Sequence, residues 1–456
     1  MLLYLLERIP ADEGTTIEIG EASWGVGVYD LDTYRIEDIP FICLSYVWGS
    51  GKEPNPFYPG FYISDRAKPA LAAVVAQRSA SFTRIWVDAY CLPAEQTERF
   101  LLLQRMGYIF SHAQEVVTVL SSAAFPVIES LCQSNPLSRD HLAILEREEW
   151  VSRAWTYQEA LNSQCLLITC ERLDSKTLYG RDLLNYLVYA LEFLFEGNTA
   201  KEEKKALYPN LAAFESLILD YMVAGVQKPS ALQVMSHMDR RRHHLLPDYY
   251  FAMTSAVSTE CRSFEATDRC DAFMIVCEDK GDYSFIYSAV RRHPSYSRRW
   301  RPASAPRLPP VLTWRWNGNG QPGHIESGKL YLDDMVVLQC RPLQEMAKTF
   351  ITAKLEEMRK EMGFSDSSDL EVTIYAALES MGFEGSPDGI STTHGFFFPY
   401  KRVLLGNDIT ILVAAKLESD FGSPGLIEPG GEIDEYVPGV FFGRIDKREA
   451  TSVKMI

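Results

Sequence analysis

Through the first 170 residues, short apolar runs alternate with stretches in which apolar positions recur every three or four residues. Phe41-Ile42-Cys43-Leu44-Ser45-Tyr46 has the length and apolarity of a buried strand. Residues 66–79 are alanine-rich and predict a helix. Ile85-Trp86-Val87-Asp88 predicts a second strand, one that ends in a carboxylate. Leu102, Met106, Ile109 and Ala113 then trace the stripe of an amphipathic helix. The β-branched run Glu115-Val116-Val117-Thr118-Val119-Leu120 predicts a third strand, residues 153–163 a helix, and Cys165-Leu166-Leu167-Ile168-Thr169 a fourth strand. The opening Met1-Leu2-Leu3-Tyr4-Leu5-Leu6 is cut short by Glu7 and Arg8, with no small-residue cleavage site behind it. It predicts a strand rather than a signal peptide. Strands separated by helices predict an α/β unit whose mostly parallel sheet is flanked by helices. Ligands bind beyond the carboxyl ends of the strands in such sheets.

The pattern changes after residue 170. A mainly helical region is predicted for 171–300, with an exposed charged stretch from Glu196 to Lys205. A proline-rich link from Arg301 to Pro310 leads into a mixed α+β region, 301–456. There, strands are predicted at Lys329–Gln339, Asp408–Leu417 and Val437–Ile445, and a helix at Lys348–Met362. A chain of 456 residues, 46% of them hydrophobic, is long enough for the three domains so drawn: 1–170, 171–300 and 301–456.

Charge narrows the partners. A net charge of −16 argues against a general nucleic-acid binder, and the basic stretch Arg291 to Arg301 reads as a solvated loop. No run approaches the roughly 20 apolar residues of a membrane span, so a soluble, cytoplasmic protein is expected. Nine cysteines, an odd number without a CxxC pair, predict reduced thiols. His243-His244 has no Cys or carboxylate at a zinc spacing, so no metal site is expected.

Candidate chemistry gathers in three tryptophan-bearing strings: Ser45-Tyr46-Val47-Trp48-Gly49, Trp86-Val87-Asp88-Ala89-Tyr90-Cys91 and Arg153-Ala154-Trp155-Thr156-Tyr157-Gln158-Glu159. On a helix over 153–163, Trp155, Gln158 and Glu159 stand at i, i+3 and i+4 and share a face. An aromatic, an amide and a carboxylate together suit a polar ligand with a flat ring, and Glu159 is the centre of that candidate site. Plainer readings stand beside it. Trp86 in a strand reads as core, Trp155 as core or ligand, Asp88 as site residue or helix cap, and Arg153 with Glu159 as a structural ion pair. Neither Ser45 nor Cys91 has a histidine in its motif, so neither reads as a nucleophile.

These strings resemble the fungal heterokaryon-incompatibility (HET) domain proteins. The family's Ser-Tyr-x-Trp-Gly pattern has its counterpart at Ser45, Tyr46, Trp48 and Gly49, and its Trp-x-Asp-x-x-Cys pattern at Trp86, Asp88 and Cys91. A helix bearing Met106, Phe110 and Ala113 follows, and Arg-x-Trp-Thr-x-Gln-Glu is complete at Arg153, Trp155, Thr156, Gln158 and Glu159. Looser likeness continues at Asp248 to Val257, at Trp314-Arg315-Trp316, and at Tyr436-Val437-Pro438-Gly439 with Phe442-Gly443. One departure stands out: after its Cys the family carries Ile-Asn-Gln, whereas Leu92-Pro93-Ala94 follow here.

The resemblance implies an effector of cell death triggered by non-self recognition, part of innate immunity. It further implies a remote likeness to TIR domains, hence a TIR/flavodoxin-like sheet. Some TIR domains cleave NAD with a glutamate at the place of Glu159. Carried over residue by residue, Glu159 and Asp88 would be catalytic; Ser45, Tyr46, Trp48, Gly49, Arg153, Trp155 and Gln158 would bind substrate. NAD would be a substrate, and no cofactor is implied. Other TIR domains only assemble, so the resemblance implies two readings: an NAD nucleosidase, or an interaction module that self-associates under an unknown protein trigger.

Overall fold

The computed structural model describes residues 1–10, 14–78, 81–194, 204, 206–223, 229–243, 246–260, 268–313, 316–403, 409–419, 422–431 and 433–455. Parts of the expectations above therefore lie outside the described residues: most of Glu196 to Lys205, and His244, Cys261, Trp314, Arg315 and Asp408.

The amino-terminal half is built on strands β1 (Leu2–Arg8), β2 (Ile17–Ile19), β3 (Ala22–Asp30), β4 (Ile42–Tyr46), β7 (Arg84–Trp86), β8 (Glu115–Leu120), β9 (Leu166–Cys170) and β10 (Leu178–Tyr179), with a separate hairpin of β5 (Lys52–Pro54) and β6 (Tyr62–Ser64). Helices α1 (Ala67–Arg78), α2 (Asp88–Cys91), α3 (Gln96–Gln104), α4 (Met106–His112), α5 (Phe125–Cys132), α6 (Arg139–Arg147), α7 (Glu149–Ser152) and α8 (Ala154–Leu161) connect them, and α9 (Gly180–Phe193) follows. The strand order is β10-β9-β8-β4-β7-β1-β3-β2.

This sheet is mixed, a correction to the mostly parallel sheet expected. Only β7, β4, β8 and β9 run parallel. β1 runs antiparallel to both β7 and β3, and antiparallel hairpin partners occupy both ends. The cause is local: β2 and β3 are joined by a tight turn at Gly20, whose φ of 64 suits glycine, and β1 lies along β3 for its whole length. The strand expected at Met1–Leu6 forms as β1. Numbered along the chain, the parallel strands lie in the order 2-1-3-4, so the winding reverses at β4.

Two predicted helices are interrupted. The amphipathic stripe over 102–113 belongs to α3 and α4, which part at Arg105 (φ −106, ψ 10). The helix expected from 153 begins at Ala154, and Arg153 lies extended (φ −75, ψ 143) between α7 and α8.

The second half supplies α10 (Pro209–Val223), α11 (Ala231–Asp239), α12 (Leu246–Val257) and α13 (Arg269–Lys280), then α14 (Glu345–Met362) and α15 (Leu370–Ser380). α12 packs along α8, and α10 against α7 and α8. One continuous core runs from Leu5 in β1 through Tyr157 in α8 to Tyr249, Phe273 and Phe442.

The carboxyl-terminal strands are β11 (Gly323–Glu326), β12 (Lys329–Gln339), β13 (Ile390–Thr392), β14 (Gly395–Pro399), β15 (Thr410–Ala414), β16 (Ser423–Ile427), β17 (Val437–Gly443) and β18 (Thr451–Lys454). The antiparallel path β12-β15-β16-β17-β14-β13 returns to the end of β12 through a bridge between Cys340 and Thr392, making a small barrel. Its interior is filled, with Val336, Ile390, Phe397, Ile411, Val413, Val437 and Phe441 packed together. The Phe397 ring lies across Gly425 and Gly439, where a Cβ would come within 3.0 and 2.5 Å of it.

The basic stretch 291–301 is not simply a solvated loop. Arg292 and Arg301 are buried: Arg292 donates to the Tyr436 carbonyl at 3.1 Å, and Arg301 pairs with Glu278 at 2.6 Å and with Asp271. Buried guanidinium groups need such partners, which a charge count does not reveal. Among the described residues no helix is long and apolar enough to cross a membrane.

Candidate functional site

The carboxyl end of β4, where the winding reverses, delivers Ser45 and Tyr46. Beside it β7 ends at Trp86, and Asp88 opens α2 two residues later. In a wound sheet such a reversal opens a crevice between neighbouring crossovers. Here α7 and α8 close over it.

Ser45 Oγ donates to Glu159 Oε2 at 2.5 Å and accepts from Trp150 Nε1 at 2.8 Å. All three residues are buried. An indole N–H only donates, so it occupies a lone pair of the serine and leaves the hydroxyl proton for the carboxyl group. The direction of the Trp150–Ser45 bond is thereby fixed.

Asp88 is held in a different way. Its Oδ1 accepts from the Ala89 N–H at 2.7 Å and its Oδ2 from Trp48 Nε1 at 2.7 Å. Burial raises the Asp88 carboxyl above its ordinary value, against the hydrogen bond from Trp48 and the charge of Arg99. The Tyr46 hydroxyl is near enough for burial and the Asp88 charge to push it well up, without reaching hydrogen-bond geometry. Asp88 is thus both a first-turn residue of a helix and a half-buried carboxylate held by an indole.

Burial raises Glu159 to about 8, and the negative charge of Asp88 adds to the rise; the Ser45 hydrogen bond and the Arg153 charge oppose it. Arg153 makes no ion pair with Glu159, so the plainer alternative of a structural pair does not form. Its Nη1 is buried and has no partner among the described residues. The other cations near the motifs are engaged: Arg66 with Glu171 at 2.6 Å, Arg84 with Tyr29 at 2.7 Å and Glu7 at 3.3 Å.

The structure therefore brings Ser45, Tyr46, Trp48, Asp88 and Glu159 together, with Arg153 in electrostatic reach. Gly49, Trp155 and Gln158 stand apart. The Gly49 N–H donates to Ser64 Oγ at 2.9 Å, and a Cβ there would meet Asp65 Oδ1 at 2.2 Å. Trp155 stacks on Phe251 of α12 at 6.2 Å, and Gln158 is fully buried, accepting from Asn162 at 3.3 Å. Helix α8 is enclosed almost all round, so its side chains meet different neighbours rather than one ligand face. Trp86 is core, edge-on to Phe110. Burial pushes the Cys91 thiol up to about 12, which leaves it protonated and no nucleophile.

Sequence reasoning missed Trp150, whose signal was another tryptophan three residues before Arg153. It also missed Asn55, at the tip of the β5–β6 hairpin. Its Nδ2 donates to the Ala89 carbonyl at 3.0 Å, and its Oδ1 accepts from Phe57 N at 2.9 Å and Tyr58 N at 3.2 Å.

Residues 41–159 match the family model described as Heterokaryon incompatibility protein (HET). The chain carries a HET domain. The HET segment starts one residue before β4 and ends on Glu159 itself, so it encloses the whole Ser45–Asp88–Glu159 cluster. It leaves out β1–β3, β9 and the helices α10–α13 that complete the sheet and cover α8. No curated protein and no solved structure matches the chain. The HET domain points to a function of the heterokaryon-incompatibility type.

Proposed function

We propose that this HET domain is a cytoplasmic effector of non-self-triggered cell death that hydrolyses NAD or a related nucleotide, with Glu159 at the centre of the site. The observation that carries the reading is Glu159 itself. It is buried and held by Ser45, it shares its surroundings with the half-buried Asp88 carboxylate, and it lies at the strand-order reversal where wound sheets bind ligands. The parallel order 2-1-3-4 also supports a TIR/flavodoxin-like relation for the core of the sheet.

In the reaction, water adds to the ribose C1′ as the bond to the nicotinamide nitrogen breaks. The bonding pair neutralises the pyridinium, and the water loses a proton, giving nicotinamide, ADP-ribose and H⁺. The transition state is oxocarbenium-like, and an ionised Glu159 facing the ribose would stabilise it. A cationic ring would also favour the ionised form of Glu159. The unpartnered Arg153 Nη1 would take a pyrophosphate oxygen, and Trp48 would offer a ring for stacking.

Enclosure favours a second reading. Glu159 accepts from Ser45, Asp88 accepts from Trp48 and the Ala89 N–H, and Asn55 fastens the hairpin to the Ala89 carbonyl beside them, as in a structural core. On that reading the HET domain is a self-associating interaction module without turnover.

Purified full-length chain, dilute and concentrated, incubated with NAD and analysed by chromatography for nicotinamide and ADP-ribose, separates the two. Turnover by the native protein, lost in Glu159→Ala, is expected. No turnover from a folded native protein would leave the interaction module.

A further inference from the structure

Helix α8 is separated from α7 by the extended Arg153, and such a break strands backbone groups on both sides. Arg153, at the N-cap position, gives α8 no side-chain cap. The groups are met from outside the HET segment. The Arg242 N–H donates to the Ser152 carbonyl at 2.8 Å, and the Arg242 carbonyl accepts from the Ala154 N–H at 2.9 Å. Arg153 and Arg242 so form an isolated parallel bridge. Arg241 Nη1 completes the arrangement, donating to the Arg153 carbonyl at 3.1 Å and the Val151 carbonyl at 3.3 Å.

Arg241 is itself set in place. It is buried, and its guanidinium lies over the rings of Tyr157 and Phe214 at 5.3 and 5.7 Å. The Tyr157 hydroxyl donates to Asp220 at 2.8 Å, and the same carboxylate takes the Gln233 amide at 2.5 Å and His237 Nδ1 at 2.7 Å. A buried polar network of α10 and α11 thus fixes the side chain that fixes the break.

The break is what lets two donors and acceptors converge. Trp150 on α7 and Glu159 on α8 meet the same Ser45 hydroxyl from opposite sides, which one straight helix would not arrange across nine residues of sequence. We propose that Arg241 and the Arg242 backbone are positioning elements of the candidate site, bracing the α7–α8 break so that Trp150, Ser45 and Glu159 stay aligned. The brace contributes no group to a reacting atom. Its part in turnover rests on the proposed hydrolysis; its hold on Glu159 does not.

Two independent readouts follow. The groups that face Glu159 are Ser45, Tyr46 and Cys43 of β4, Asp88 of α2 and Arg153 of the break. If the brace slackens, α8 shifts against them and water reaches the carboxyl, so its titration falls back towards an ordinary carboxylate. That titration is read, without any substrate, from the pH dependence of the melting-temperature difference between each variant and the same variant carrying Glu159→Gln. Arg242→Ala keeps both backbone bonds and is expected to titrate as the native chain does. Arg242→Pro removes the N–H that holds Ser152, and Arg241→Met removes the fork; each is expected to lower the midpoint by about one pH unit or more. Arg241→Lys retains the charge but not the fork, and is expected to give a smaller shift in the same direction should the methionine variant not fold. Where NAD turnover is measurable, kcat is expected to fall about tenfold or more with KM much less affected. A uniform loss of melting temperature with the Glu159 midpoint and kcat unmoved would overturn the proposal and make Arg241 a structural residue. Absence of turnover in the native chain would refute the hydrolysis alone, since the titration still tests the brace.

Discussion

Glu159 is a carboxyl group whose surroundings favour its proton. Its folded value, raised by burial to about 8, lies above the ordinary 4.5. Below the ordinary value both folded and unfolded chains hold the proton and the fold keeps its full stability. As pH rises towards 8 the unfolded chain ionises while the folded chain does not, so stability is lost across that window and levels off above it. Glu159→Gln mimics the protonated acid. It is expected to melt higher than the native chain by a margin that grows from pH 5 to pH 8, on the order of a few kcal/mol at most. A margin independent of pH would mean that Glu159 is ionised in the fold. Hydrolysis needs the opposite form, so kcat/KM for NAD is expected to rise with pH through about 8. On the proposed hydrolysis, the same substitution is expected to abolish turnover while it stabilises. This residue was legible because the strings around it are rich in an uncommon side chain. Trp150 was not, since its role exists only once α7 has folded across β4.

At the scale of elements, breaks were harder to read than the elements themselves. Ser152-Arg153-Ala154 holds no glycine or proline, and nothing local announces that the helix stops. Its cause is Arg241 and Arg242, far along the chain. In the barrel, β12, β15 and β17 were legible as apolar runs, whereas β16 was hidden by Pro424 and Gly425. That glycine is there because the Leu412 carbonyl, 2.7 Å from where a Cβ would sit, and the Phe397 ring leave no room for a side chain. The β5–β6 hairpin was also unread, since its strands are three residues each and only Ile63 and Ser64 are buried. Asn55 carries it: one side chain makes three hydrogen bonds in a buried position. Asn55→Ala is expected to cost about 1–3 kcal/mol and to speed amide exchange selectively in residues 52–64. Protection unchanged there would show that the hairpin is held by other contacts.

For the whole molecule, the HET segment and the folded unit are different things. Tyr157, Trp150 and Ala154 lie within 41–159, yet the core that buries them includes Phe214, Tyr249 and Met253 from beyond it. A fragment of residues 1–194 would expose that face and leave Ser152 and Ala154 without their bonds to Arg242. It is expected to lose the cooperative melt of the full chain and to bind a hydrophobic dye; a sharp transition in the fragment would show a self-sufficient domain. The sheet of the amino-terminal half has one more implication. Its outermost strands are β2, of three residues, and β10, of two. β2 covers only Ala22–Trp24 of β3, so Gly25–Asp30, paired with β1 on one side, have no strand on the other among the described residues. If copies of this protein join into filaments or clusters, that uncovered length of β3 is an edge that a further strand could extend.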